Sequence, residues 1–77
     1  MNTDRQLDTR GLKCPLPVLK ARKLMRAMAE GEVLGVLADD PAALVDFPHF
    51  CTEQGHAFLG SADDPEGGTA YYLRKGG

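Results

Sequence analysis

A chain of 77 residues, 43% hydrophobic and 26% charged, has the make-up of a folded globular protein with one small core, which argues against disorder and fibrous repeats and predicts a single domain over residues 1–77. Its longest apolar stretch, Val33 to Ala38, falls far short of the roughly 20 residues that span a bilayer, so no membrane association is expected. Net charge is −2, but residues 1–38 carry seven Lys or Arg against four Asp or Glu (+3) and residues 39–77 carry two against seven (−5), a polarity suited to docking on acidic protein surfaces and not to gripping a nucleic-acid backbone.

In chain order, Gln6 to Thr9 reads as a first strand, after which Gly11, Pro15 and Pro17 punctuate the chain before a helix over Pro15 to Met28. At 100° per residue Val18, Ala21, Leu24, Met25 and Met28 form its core stripe, while Lys20, Arg22, Lys23 and Arg26 form a basic outer face. Leu16 and Leu19 project with the basic residues and are expected to be exposed. Gly31 suits a helix stop, and Glu32 to Ala38 reads as a central strand too apolar to face water on either side. Asp40-Pro41 has the form of an N-cap and first helical position for a second helix beginning at Ala42. Because the residue before a proline is pushed out of the helical region, Phe47-Pro48 predicts a break or kink, with a further segment through Gln54. Gly55 ends it, Ala57 to Ser61 and Thr69 to Arg74 are the last strands, and Ala62 to Gly68 is the turn between them.

The resulting order, β-α-β-α-β-β, predicts a two-layer α/β sandwich: a mixed four-stranded sheet with both helices on one face, since so short a chain cannot cover two. The first two strands should run parallel, so that the loops following them share one edge. That edge gathers Arg10 to Cys14 and Asp39 to Pro41 where open α/β sheets bind ligands.

Two cysteines, Cys14 and Cys51, lie 37 positions apart, without the spacing of a disulfide framework or a zinc site, so a reducing compartment and no metal are expected. An isolated cysteine is by default a small buried hydrophobe, and Cys51 beside Phe50 fits that role. Cys14 differs in its setting. Gly11 permits close backbone approach, Arg10 and Lys13 are cationic, and Pro15 and Pro17 occupy a first turn where the missing N–H groups break no helical bond. The Leu16 and Val18 N–H groups and the helix dipole add to the cations, predicting a Cys14 that is partly thiolate at neutral pH; Asp39 and Asp40, if close, act in the opposite sense. His49 and His56 lie outside this loop and read as surface or capping residues, and no Cys-His-Asn order suggests hydrolysis. A nucleophile without an evident base, on an exposed helix start, suits sulfur transfer between thiols.

The segment Gly11-Leu12-Lys13-Cys14-Pro15-Leu16-Pro17 resembles the Cys-Pro-x-Pro signature of the TusA sulfur-carrier family. The likeness extends to Leu7-Asp8-x-x-Gly11, Ala38-Asp39-Asp40-Pro41-Ala42, Asp46-x-Pro48-x-Phe50-Cys51 and the terminal Tyr72-Leu73-Arg74-Lys75-Gly76-Gly77. Charge and amide groups over Met1 to Gln6, where a secretory signal would be apolar, lead to the expectation of a cytoplasmic protein. The resemblance implies a sulfurtransferase of the carrier type, which takes persulfide sulfur from a cysteine desulfurase onto Cys14 and relays it downstream, ultimately for 2-thiolation of tRNA wobble uridine. The covalent persulfide is the intermediate and no cofactor is expected, nor direct nucleic-acid binding by this acidic monomer. Arg10, Lys13, Lys20 and Lys23 are assigned to electrostatic docking of protein partners, with Leu16 and Leu19 as an apolar contact. The alternatives are a carrier serving sulfur oxidation or cofactor biosynthesis, a binding or regulatory module of the same fold, and a thiol redox protein. Gly76-Gly77 is expected to be a flexible end.

Overall fold

The computed structural model describes residues 2–76; Met1 and Gly77 lie outside them. The elements are β1 (Arg5–Asp8), α1 (Leu16–Arg26), β2 (Val33–Ala38), α2 (Ala43–Gln54), β3 (Ala57–Asp63) and β4 (Thr69–Arg74). Strand β1 pairs parallel with β2, and β4 lies antiparallel between β2 and β3, giving the sheet order β1-β2-β4-β3. This is the expected two-layer sandwich, with β2 interior to the sheet. Among the described residues no helix is long and apolar enough to cross a membrane.

Period-two alternation decides which side of β2 is covered. Leu34, Val36 and Ala38 are buried beneath the helices, and the register sets Leu34 opposite Leu73 and Val36 opposite Tyr71 on β4. Helix α1 lays Ala21 and Met25 on this surface, followed by Met28 just beyond its end, and α2 adds Ala43, Phe47, Phe50 and Cys51. The Phe47 and Tyr71 rings meet with centroids 5.0 Å apart, a tilted aromatic contact at the centre of the core. Val33, Gly35 and Leu37 point to the opposite, uncovered face and are only half-buried. The expectation that β2 hides both faces therefore fails, because its apolar run exceeds what two helices on one side can cover. Tyr71 and Tyr72 divide between the faces as alternation requires, Tyr71 buried and Tyr72 half-exposed.

The second helix is a further correction. It runs unbroken from Ala43 to Gln54 with Pro48 inside it. Phe47 stays helical because its side chain is fully buried against the sheet, and that packing outweighs the local preference of a residue preceding proline. The carbonyl that loses its partner to Pro48 belongs to Leu44, which is 61% exposed, so water can satisfy it. Helix α1 ends at Arg26 and not at Met28, its last turn tightened by bonds from the Ala27 and Met28 N–H groups to the Leu24 and Met25 carbonyls.

The chain beyond β4 is held in place as far as Gly76. The Gly31 N–H donates to the Lys75 carbonyl at 2.9 Å, the Lys75 N–H to the Glu32 carbonyl at 2.8 Å, and the Gly76 N–H to His56 Nδ1 at 2.9 Å. A Cβ at Gly76 would overlap the Gly55 carbonyl oxygen, so close backbone approach explains this glycine. The expected flexible end is thus corrected for Gly76, while Gly77 lies outside the described residues.

Candidate functional site

The site is built where the loops after β1 and β2 meet, as the parallel pairing requires. Thr9, fully buried, ends β1 by donating both its N–H and its Oγ1 hydrogen to the Leu37 carbonyl, at 2.7 and 2.6 Å. Gly11 then turns the chain with φ +88°, in the left-handed region that favours glycine, and presents its N–H to both carboxylate oxygens of Asp39 at 3.0 Å. Asp40 takes the Cys14 N–H at 2.6 Å on one oxygen and the Ala42 N–H at 3.0 Å on the other. One carboxylate therefore ties together the starts of both helices. These donors, the Cys14 N–H first, and then Lys13 lower the Asp40 pKa.

Cys14 sits immediately before α1. Pro15 occupies the cap position after a cis Cys14–Pro15 bond, and Pro17 is buried in the first turn. The thiol is exposed, and its Sγ–H donates to Asp46 Oδ2 on the first turn of α2, 2.9 Å away. That hydrogen bond, then partial desolvation and the charges of Asp46 and Asp40, raise the thiol pKa. The expectation of a partly ionised Cys14 at rest is thereby corrected. Of the two cations that were to support a thiolate, Arg10 is engaged elsewhere. Arg10 forks onto Asp8 through Nε at 3.0 Å and Nη2 at 2.8 Å, with Nη1 3.9 Å from Asp64, and the Asp8 carboxyl falls to about 2. The Leu16 N–H, expected to face the sulfur, donates to the Lys13 carbonyl at 2.9 Å.

From Cys14 an open groove of about 340 Å³ runs between the helices. Pro15, Val18, Leu19 and Phe50 give it apolar surface, and Arg22 and the His49–Glu53 pair, 2.6 Å apart, give it charge. Leu19 borders this groove, whereas Lys20 and Lys23 border a separate depression toward β1, with Leu7, Leu24 and Ala27. Leu16 and Leu19 are 45% and 47% exposed, as their helical positions predict. Of the residues assigned to docking, Arg10 stands apart, held by its carboxylate partners at the β1 end.

Asp46 is the site residue that sequence reasoning missed. It falls within the Asp46-x-Pro48-x-Phe50-Cys51 segment, but its meeting with Cys14 depends on how two helices lie side by side. Leu44 and Val45, 61% and 71% exposed beside it, were also missed, although the helical period that buries Ala43 and Phe47 turns them outward. Cys51 lies in the core, where burial pushes its thiol up to about 11. It is a packing residue, as expected.

The description "Sulfurtransferase TusA" is that of a family matching residues 5–75. The sulfur carrier protein TusA of Allochromatium vinosum is 43% identical over 72 residues, which cover 94% of this chain and 92% of that protein. The crystal structure of a SirA-like protein from Desulfitobacterium hafniense aligns with a TM-score of 0.81 over 95% of this chain and 99% of its own, at 23% identity, a likeness of fold.

Proposed function

Because this chain belongs to the TusA sulfurtransferase family, a family of sulfur-relay proteins, we propose that Cys14 is the residue on which it carries sulfur as a persulfide. The observation that supports this most is the contrast between its two thiols: one exposed at the mouth of a groove, the other enclosed in the core. Gly11, Pro15 and Pro17 shape the turn that presents the first, and Asp39 and Asp40 hold it against the sheet edge.

In loading, the Cys14 sulfur attacks the outer sulfur of a donor persulfide; the new S–S bond forms as the donor's breaks, and the donor leaves as a thiol carrying the proton Cys14 gave up. Discharge is the same exchange with an acceptor thiol attacking. The donor in this reading is a cysteine desulfurase, the receiver a downstream relay protein, the setting cytoplasmic and the destination 2-thiolation of tRNA wobble uridine. Incubation with a desulfurase and free cysteine is expected to add about 32 Da to Cys14, reversed by a reductant. No gain in mass, or a loss of two hydrogen atoms (about 2 Da) signalling oxidation to a disulfide, would contradict the carrier reading.

Docking is assigned to Lys13, Lys20 and Lys23 with the apolar Leu16 and Leu19, facing an acidic partner surface. Arg10 is withdrawn from that set, because its charge is already matched by Asp8. Replacing both Lys20 and Lys23 by Glu should slow sulfur uptake about tenfold at low ionic strength, with the difference closing as salt is added. Uptake at the wild-type rate in low salt would remove these two lysines from the interface.

A further inference from the structure

Asp39 and Asp40 spend their oxygens on backbone N–H groups, but the Asp46 carboxylate is turned on the sulfur itself. Resting on the carrier reading, we infer that Asp46 is a release residue: it stabilises the empty Cys14 thiol through the 2.9 Å hydrogen bond and repels the loaded persulfide, biasing Cys14 toward giving its sulfur away.

The argument follows from counting charge. An empty Cys14 carries its proton and donates it to Asp46 Oδ2. A persulfide is more acidic than the thiol it came from, so at neutral pH the loaded residue is an anion with no proton to offer. Loading from a persulfide anion, Cys14–SH plus R–S–S⁻ giving Cys14–S–S⁻ plus R–SH, balances in atoms, protons and electrons. It moves one negative charge to the side of Asp46 and removes one hydrogen bond. Discharge to an acceptor thiol reverses both changes. The outer sulfur adds one S–S bond of about 2 Å, so its charge lies within about 5 Å of the carboxylate oxygen.

At that separation on an exposed surface the repulsion corresponds to about threefold to tenfold in the sulfur-exchange equilibrium. Asp40 adds charge of the same sign, reduced by its two backbone donors and by Lys13. The arrangement suits a carrier, for which holding sulfur too firmly would halt the relay.

The test equilibrates wild type, Asp46→Asn and Asp46→Glu with a buffer of glutathione and glutathione persulfide at neutral pH. Peptide mass spectrometry then reads the fraction of Cys14 that carries the extra sulfur. Asp46→Asn should hold about threefold to tenfold more persulfide relative to thiol than wild type, less so in high salt, while Asp46→Glu, which keeps the charge, should stay near wild type. Its Cys14 should also react faster with iodoacetamide at neutral pH, because removing the carboxylate lowers the thiol pKa and populates the thiolate. A general loss of packing would not separate Asn from Glu in this way. Equal or lower occupancy in Asp46→Asn, with wild type loading normally, overturns the inference and leaves the carrier reading intact. Failure of wild type to take up sulfur removes both.

Discussion

Replacing Phe47 by Ala should cost about 3–5 kcal/mol, the largest single loss expected from any side chain in this core. Phe47 is the largest fully buried side chain, and it lies directly on Tyr71 of the central sheet. A chain of this length has a total unfolding free energy of only about 4–12 kcal/mol, so the variant would sit near the edge of folding, its melting temperature lowered by roughly 15 °C or more. Two consequences go beyond the cavity. Without the buried ring, the tendency of a residue before proline to leave the helix is no longer opposed. Asp46, the preceding residue, would then lose its fixed position against Cys14. Urea unfolding monitored by circular dichroism provides the measurement, with Leu44→Ala on the exposed side of the same helix as control, expected to change stability by less than about 0.5 kcal/mol. A loss below about 1 kcal/mol for Phe47→Ala would mean that the ring is not packed as described.

The topology was legible because each element carries its own signal. The helical stripe of Ala21 and Met25, the apolar run of β2 and the glycines and prolines between elements all agree on the order and on the parallel first pair. From that pair alone follows the approach of Gly11 and Cys14 to Asp39 and Asp40, and the hydrogen bonds across the two loops realise it. What was not legible depends on distances that no local pattern encodes. Asp46 reaches Cys14 across 32 positions of sequence, and only the packing of α2 beside α1 brings them together. Arg10 looked available to the sulfur, yet Asp8, two residues earlier at the end of β1, captures it. The break expected at Phe47-Pro48 followed a sound local rule that burial overrides. Gly76 reads as a loose end in the sequence because Gly55 and His56, which it meets, lie about twenty residues upstream and are brought near only by the antiparallel ladder.

These differences alter the chemistry assigned to the site. An activated cysteine held as a thiolate by neighbouring cations would be primed to attack and prone to hold what it captured. The observed cysteine is open to a partner but keeps its proton under a carboxylate. On the proposed carrier reading, a thiol that keeps its proton relies on the partner to bring an electrophilic sulfur to Cys14.

The second large effect concerns Cys14 itself. Serine is close in size and retains a hydrogen that can be donated to Asp46, so Cys14→Ser should preserve the turn, the helix start and the melting temperature within a few degrees. An alcohol oxygen cannot take the place of sulfur in thiol–persulfide exchange, so sulfur acceptance should disappear altogether. Wild type and Cys14→Ser should therefore be incubated side by side with a cysteine desulfurase and free cysteine, and the protein-bound, reductant-labile sulfur of each followed by intact-protein mass spectrometry. The account predicts a gain of about 32 Da in wild type alone. A folded Cys14→Ser protein that acquires the same sulfur at the same rate would contradict it.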